Sequence, residues 1–139
     1  MTIEETTDLA ACHALRRTVF IEEQSVPEAD EMDDLDEGAI HLLARDDAGR
    51  PVATARLLIK GEIGKIGRVC VLADQRGTGM GAALMRAAVD ALIARGVREA
   101  HLGSQVHAMG FYEKLGFVAE GPVYDDAGIP HRDMVRVIA

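Results

Sequence analysis

Apolar side chains recur at every third or fourth position across residues 80–92, which is the spacing of one face of an α-helix. Gly96 follows this stripe and ends the helix, as glycine commonly does. A weaker stripe predicts a helix over residues 8–22, and a third, short helix is predicted over residues 107–115, ended by Gly116. The pattern therefore predicts at least three helices.

Runs of apolar and β-branched residues alternate with these helices and predict strands. Two of the runs flank the turn Asp46-Asp47-Ala48-Gly49, which is typical of a hairpin. The predicted strands cover residues 39–44, 51–60, 65–72, 98–103, 117–119 and 132–138. Six or seven strands with three or four helices indicate an α+β, or mixed α/β, fold.

Composition narrows the class of protein. The 139 residues suit one domain, residues 1–139, with one core. The net charge of −8 argues against a nucleic-acid partner, which needs a clustered basic surface. No apolar run approaches the roughly 20 residues that span a bilayer, and the acidic N-terminus lacks a signal-peptide pattern, so we expect a cytoplasmic protein without membrane association. Cys12 and Cys70 show no metal or redox spacing, so we expect reduced thiols and no metal.

The loop Arg76-Gly77-Thr78-Gly79-Met80-Gly81 stands between the strand at 65–72 and the striped helix. Its glycines allow a tight turn and let a ligand approach the backbone amides. The first N–H groups of the helix are unpaired, and the helix dipole adds positive potential there. With Arg76 as a charged donor, the loop predicts a pyrophosphate-binding site.

Three other interpretations of this loop explain less. A strand–helix turn without any ligand would use the same glycines. A Walker loop needs Gly-Lys-Ser/Thr, which the loop lacks. A dinucleotide fingerprint, Gly77-x-Gly79-x-x-Ala82, needs an acidic residue at the end of the next strand, where this chain has Gly103-Ser104.

Two segments of the chain resemble the GNAT superfamily of acetyltransferases. Residues 69–81 look like its cofactor strand followed by the loop Arg/Gln-x-x-Gly-x-Gly/Ala. Residues 105–117 resemble its Asn-x-x-Ala-x-x-x-Tyr-x-x-x-Gly-Phe segment, with Gln105 in place of the usual Asn. Similarity to the small bacterial ElaA-like branch comes from the acidic connector and from residues 19–24, 66–69 and 128–131.

The resemblance implies acetyl-CoA as the acetyl donor and a mostly antiparallel sheet that splays beside the cofactor strand. It assigns the oxyanion contact to the backbone N–H of Val71, and the pantetheine arm to the backbone of Val69 and Val71. The residues expected to bind the cofactor are Val69, Cys70, Val71, Arg76, Gly77, Thr78, Gly79, Met80, Gly81, Gln105 and Phe111.

Two side chains are the candidates for proton transfer. Tyr112 matches the family tyrosine that protonates the departing thiolate, although the same residue could simply anchor its helix to the core. His131 is the preferred base because an imidazole titrates near neutral pH. The run Gly128-Ile129-Pro130-His131 predicts a rigid, exposed turn, where a histidine without function would also fit. His107 is a second candidate base or a helix cap, and His41 is expected to be structural.

Arg68, Glu22, Gln24 and His107 are the residues expected to contact the acceptor. The planar fork of Arg68 suits a carboxylate or phosphate, although an exposed arginine paired with an acid would look the same. The acidic stretch at residues 28–37 lacks calcium-loop spacing and predicts a solvated, mobile cover, or a field that attracts cationic amines. An amino acid or an amino-sugar phosphate would carry both charges.

These observations favour an enzyme that acetylates a primary amine of a small molecule by direct attack on the thioester. Two alternatives stay open. One is a non-catalytic acyl-CoA sensor on the same fold, which the retention of Tyr112 disfavours. The other is an acetyltransferase for protein N-termini or lysines, which would need an open peptide groove. A homodimer is compatible with either enzyme.

Overall fold

Seven strands form one sheet in the computed structural model, which describes residues 1–138. Their order is β1-β2-β3-β4-β5-β7-β6, and every neighbouring pair is antiparallel except β4 and β5. This sheet with its helices confirms the α+β expectation. The strands are β1 (Thr2–Thr6), β2 (Ile40–Arg45), β3 (Pro51–Lys60), β4 (Ile63–Val71), β5 (Glu99–Gln105), β6 (Val118–Asp126) and β7 (Ile129–Val137).

Three helices lie close to their predicted places, whereas the short helix at Glu28–Glu31 lies in the acidic stretch, where no helix is predicted. The first predicted helix has two parts, because α1 continues as a π-helix over Arg17–Glu23. Short 3₁₀ turns precede α3 and α4. Among residues 1–138, no helix is long and apolar enough to cross a bilayer. The α-helices are α1 (Leu9–Arg16), α2 (Glu28–Glu31), α3 (Met80–Ala94) and α4 (Met109–Glu113).

Two strand features differ from the sequence pattern. β1 is not predicted, because Ile3 is its only large apolar residue and no alternation can be seen. The closing hairpin is longer than predicted, since β6 runs on through the exposed residues 120–126. Their pairing with β7, rather than burial, makes these residues a strand.

The sheet is covered on both faces. Successive residues of a strand point to opposite faces, and Leu42 packs in the cluster that contains Leu84 and Leu92 of α3. Leu43 packs instead with Cys12 and Leu15 of α1. The striped helix and the first helix therefore lie on opposite sides of β2 to β4.

The parallel strands β4 and β5 pair over only three residues and then separate. Their last pair is Lys65 with His101. Beyond it, a β-bulge in β4 shifts the register against β3, and Arg68 within the bulge has a φ of 51°. This left-handed backbone costs a non-glycine residue roughly 1–2 kcal/mol. Bulges bend a strand and re-aim its side chains, and this one lies beside the opening between β4 and β5.

Candidate active site

A cavity of about 780 Å³ opens where β4 and β5 part. Its walls come from the π-helix and the acidic segment, from β4, from the glycine loop, from β5 and α4, and from the β6–β7 hairpin. One side is therefore bounded mainly by the loop and the start of α3. The other is bounded by side chains from four separate parts of the chain. We call these the cofactor side and the acceptor side.

The glycine loop leaves open space above its backbone. Gly77 and Gly79 have φ values of 75° and 86°, and a Cβ added to either would meet no atom within 4 Å. Gly79 is the N-cap of α3, and no side chain caps this helix end. The first N–H groups of α3 are thus available to an anion, as the loop sequence predicts.

Arg76 ties this loop to its surroundings. Its Nε donates to the carbonyl oxygen of Val71 at 3.0 Å, and its Nη2 donates to Oε2 of Glu23 at 2.8 Å. The side chain is half-exposed and lines the cavity. The loop, the end of β4 and the π-helix are held together at this point.

The backbone of Val71 points into the opening. The N–H of Leu72 donates to the carbonyl of Val52 in β3 at 2.9 Å. Because bonding direction alternates along an antiparallel strand, the N–H of Val71 points away from β3. On that side β5 has already separated from β4, since their pairing ends at Lys65. The position suits a backbone donor to a ligand in the cavity.

Three of the expected cofactor residues cannot offer their side chains to the cavity. Cys70 is only 4% exposed, and burial raises the pKa of its thiol to about 12, so it is no nucleophile. Met80 is a core residue, and the hydroxyl of Thr78 donates to the carbonyl of Gln75 at 2.5 Å. Thr78 and Met80 border a separate shallow depression. Contacts of these residues with a cofactor would use their backbone atoms.

Tyr112 lines the cavity from α4. Its ring packs edge-to-face on Phe111 and Phe117, with centroid distances of 5.0 and 6.2 Å. Burial raises the pKa of Tyr112 to about 12, and among residues 1–138 its hydroxyl has no hydrogen-bond partner. The phenol therefore stays protonated at physiological pH, and its O–H is not committed to another group.

His131 lies in a strand, so the prediction of an exposed turn is wrong. The turn comes earlier, at Ala127 and Gly128, which have φ values of 53° and 80°. Proline is tolerated near the start of a strand, and Pro130 is the second residue of β7. This places His131 at the third position of β7, half-buried and facing the cavity wall opposite Gln105 in the register.

The hydrogen bonds of His131 fix its tautomer. Nδ1 lies 2.7 Å from the carbonyl oxygen of Ile129, which can only accept, so Nδ1 carries the proton and Nε2 keeps a lone pair when the ring is neutral. The ring of Tyr124 stacks on the imidazole with centroids 6.0 Å apart. The hydroxyl of Tyr124 donates to Asp133 at 2.8 Å, which holds this stack in place.

A second histidine is oriented in the same way. Nε2 of His107 donates to Oε1 of Gln105 at 2.6 Å, and Nε2 of Gln105 donates to Oε1 of Gln24 at 2.8 Å. Nδ1 of His107 therefore keeps the lone pair. These bonds bring together three predicted site residues from two distant segments of the chain. They also occupy the amide of Gln105, which stands where the family has asparagine.

The acidic stretch is anchored by arginines, so the prediction of a solvated cover is wrong for its buried acids. Arg16, 1% exposed, donates to Glu31 at 2.5 Å and to Asp36 at 2.8 Å. Burial alone would raise the pKa of Asp36, but hydrogen bonds from Arg16, His13 and Arg56 hold it well below its usual range. These partners come from α1 and β3, far away in sequence, so no local pattern predicts them.

Not every residue near the cavity has the role predicted for it. Glu22 is exposed and does not line the cavity, whereas its neighbour Glu23 bonds Arg76. His41 is structural as expected, because its Nε2 donates to the carbonyl of Asp36 at 2.8 Å. Tyr124 lines the cavity but is not among the predicted site residues, although it is one of only two tyrosines in the chain.

Among residues 1–138, no group of three or more histidine, cysteine or carboxylate side chains is arranged to hold a metal ion. Cys12 and Cys70 are both free and buried.

The family assignment follows from comparison with known proteins. A sequence model of the acetyltransferase (GNAT) domain matches residues 5–138. The chain therefore belongs to the GNAT acetyltransferase family, and it is an acyltransferase.

Individual relatives agree with this assignment and confirm the resemblance to the ElaA-like branch. ElaA of Escherichia coli is 35% identical over 138 residues, which cover 95% of this chain and 89% of ElaA. The N-acetyltransferase YjcF of Bacillus subtilis is 36% identical over 123 residues, covering 88% of this chain and 87% of YjcF. The crystal structure of an acyl-CoA N-acyltransferase from Pseudomonas aeruginosa, 35% identical, has a TM-score of 0.85 and covers 98% of this chain and 97% of that one.

Proposed function

We propose that this chain is an acetyl-CoA-dependent N-acetyltransferase that acts in the cytoplasm, as one domain, on a primary amine of a small molecule. The observation that carries the proposal is one cavity that joins an open glycine loop to a protonated tyrosine and a histidine lone pair. The glycine loop serves binding of the donor, and the tyrosine and the histidine serve transfer of its acetyl group.

The cofactor side holds the donor in this proposal. The pyrophosphate lies against the loop and the N–H groups that begin α3, where the helix dipole favours negative charge. The pantetheine arm runs along the backbone of Val69 and Val71 like an added strand. This directs the thioester carbonyl at the N–H of Val71, which stabilises the oxyanion as it forms. The name of the Pseudomonas relative, an acyl-CoA N-acyltransferase, agrees with a donor of this kind.

The acetyl group moves in one addition and one elimination. The bound ammonium first loses one proton to water and becomes a neutral amine. Its nitrogen attacks the thioester carbon, and Nε2 of His131 accepts the second proton, which the nitrogen loses on addition. The C–S bond of the tetrahedral intermediate then breaks, and the hydroxyl of Tyr112 protonates the leaving sulfur. Exchange with water returns both side chains to their starting states. The raised pKa of Tyr112 keeps the acid loaded throughout the neutral range.

Cavity size and charge support a small cationic acceptor. The volume of about 780 Å³ lies within the range of roughly 300–1,000 Å³ that is usual for small-molecule sites. The anchored acidic segment forms part of the wall on the acceptor side of the cavity. Asp30 and Asp126 line the cavity, and together with the net charge of −8 they attract an amine in its ammonium form.

The test combines calorimetry with acetyl-CoA and release of free thiol across amines, amino acids, amino sugars, polyamines and short peptides. We expect binding and transfer to at least one small amine, with transfer greatly reduced in Tyr112→Phe. Binding without transfer to any acceptor would instead establish the acyl-CoA sensor. Transfer only to peptides would establish a protein acetyltransferase.

A further inference from the structure

Arg68 holds an unusual place in the cavity wall. It lies in the β-bulge of β4 with a φ of 51°, and its side chain lines the cavity. A strained backbone at a non-glycine residue persists only where the surrounding structure enforces it, and such residues cluster at ligand sites. The bulge aims a guanidinium at the acceptor side of the cavity.

The guanidinium of Arg68 is only partly satisfied. Its hydrogen bonds all come from Nη2, which donates to the carbonyl of Glu31 at 2.9 Å and to Asp33 at 3.3 Å, with a longer contact of 3.5 Å to the carbonyl of Asp30. The buried Nε has no hydrogen-bond partner in residues 1–138, and the nearest oxygen of Glu31 is 3.6 Å away. Nη1 likewise bonds to none of these residues.

The acids near Arg68 already serve other arginines. Arg16 takes one oxygen of Glu31 at 2.5 Å, and Arg56 takes one oxygen of Asp33 at 2.7 Å. Burial lowers the pKa of Arg68, and the positive charge of Arg56 lowers it further. Additional negative charge beside Arg68 would therefore be stabilised.

The charged groups around Arg68 also limit how much negative charge a ligand can bring. Three arginines, Arg16, Arg56 and Arg68, face three acids, Glu31, Asp33 and Asp36, through contacts of 3.6 Å or less. One more negative charge fits this balanced set better than the nearly two charges of a phosphate monoester. A planar carboxylate also matches the guanidinium fork.

We propose that Arg68 binds a carboxylate of the acceptor, so that the substrate is an amino acid with its primary amine and its carboxylate on one small molecule. The proposal rests on the acetyl transfer proposed above and names its substrate class. Two other cations line the cavity, but Arg76 is held in the cofactor loop by Glu23, and Lys65 lies at the last β4–β5 pair. Arg68 is the cation beside the acidic wall, where Asp30 attracts the ammonium end.

The carboxylate site is tested by comparing amino acids with their amides, which lack the carboxylate. Steady-state kcat/KM is measured for glycine, β-alanine and 4-aminobutanoate, each against its amide, with the full chain and acetyl-CoA. The amide's amine is less basic and more readily deprotonated, so any bias favours the amide. We expect the best acid to exceed its amide by about 10- to 100-fold, the contribution of a hydrogen bond to a charged group. The series also reports the spacing between amine and carboxylate.

Substitutions of Arg68 show whether the preference for the acid over its amide depends on this residue. Arg68→Gln should lower kcat/KM much more for the acid than for the amide, by raising KM for the acid, and so remove the preference, and Arg68→Lys should restore part of it. Arg95→Gln is the matched control, because Arg95 also pairs with an acid, Glu5, but lies outside the cavity. It should keep the full preference. An equal loss of acid and amide activity in Arg68→Gln would show a structural role and overturn the proposal.

A binding measurement separates this inference from the proposed function. The Nε–H signal of Arg68 is followed by NMR while β-alanine, its amide or 2-aminoethyl phosphate is added, and Arg68→Lys identifies the signal. A shift with the acid alone supports the carboxylate site, even if no amine is acetylated, which would defeat only the proposed function. Acetyl transfer with equal use of acid and amide would defeat only the inference. A clear preference for 2-aminoethyl phosphate would overturn the choice of carboxylate.

Discussion

The two sides of the cavity are built in different ways. The cofactor side is backbone, formed by Gly77, Gly79, the uncapped start of α3 and the N–H of Val71. The acceptor side is formed by side chains such as Arg68, which bonds a residue remote in sequence, and His131, which stacks on Tyr124 across the β6–β7 hairpin. A donor that never changes can be bound by main-chain amides, whereas the identity of an acceptor has to be encoded in side chains.

This difference predicts that substitutions on the two sides of the cavity change different properties of the protein. Changes on the cofactor side should act on donor affinity and on backbone strain, since little else is present there. Changes on the acceptor side should act on turnover, acceptor KM and stability, because the same side chains hold the wall together. The four predictions below test whether the division is real.

The largest effect is expected at Tyr112, which lies between the two sides. Tyr112→Phe keeps the ring that packs on Phe111 and Phe117 and removes only the hydroxyl. Single-turnover rates should fall by about 10²- to 10⁴-fold, as for loss of a general acid. Calorimetry should show acetyl-CoA affinity nearly unchanged. An undiminished rate, with chemistry shown to be rate-limiting, would remove Tyr112 from the mechanism.

Asp36 should show the next largest effect, and it acts on stability. Asp36→Asn removes a buried carboxylate that accepts hydrogen bonds from Arg16, Arg56 and His13, and we expect a loss of about 3 kcal/mol in the free energy of unfolding at pH 7. Urea unfolding measures it. Asp90→Asn, on the exposed face of α3, is the control and should change little.

The pH dependence of this loss has a definite sign. The folded-state pKa of Asp36 lies below its usual value, so its contribution is complete above about pH 4 and is lost as the pH falls below that. The gap between parent and Asp36→Asn should therefore narrow in acid. Acceptor KM should rise in this variant while acetyl-CoA affinity holds. An equal fall in both affinities would show that the two sides are not separable.

The same division explains what could be predicted from sequence. The helix at residues 80–92 and its glycine loop follow from local periodicity and from glycine chemistry, and both lie where expected. The pairing of Arg16 with Glu31 joins residues 15 positions apart through burial, which no local pattern shows. The local sequence Gly-Ile-Pro is turn-like and predicts a turn at His131, whereas pairing with β5 and β6 makes it a strand residue.

The next largest effect is expected for the general base, for which His131 and His107 are the two candidates. His131→Ala should lower turnover by about 10²-fold, the lower end of what a general base supplies. His107→Ala is the matched control, since this ring also has a fixed tautomer and lines the cavity. Turnover that survives in His131→Ala and falls in His107→Ala would exchange their roles.

The smallest effect is expected in the cofactor loop, where loss of acetyl-CoA affinity can be separated from loss of stability through backbone strain. Gly79 and Gly96 have φ values of 86° and 73°, and a Cβ at either would meet no atom within 4 Å. Gly79→Ala and Gly96→Ala should therefore cost similar amounts of stability, about 1–2 kcal/mol each, from the left-handed backbone. Only Gly79 lines the cavity at the start of α3, where the methyl group would lie in the path of the pyrophosphate. Acetyl-CoA affinity should fall about tenfold, or 1.4 kcal/mol, in Gly79→Ala and stay unchanged in Gly96→Ala, as measured by calorimetry. Equal affinities in the two variants would mean that the donor phosphates bind elsewhere, and the backbone character assigned to the cofactor side would fall with them.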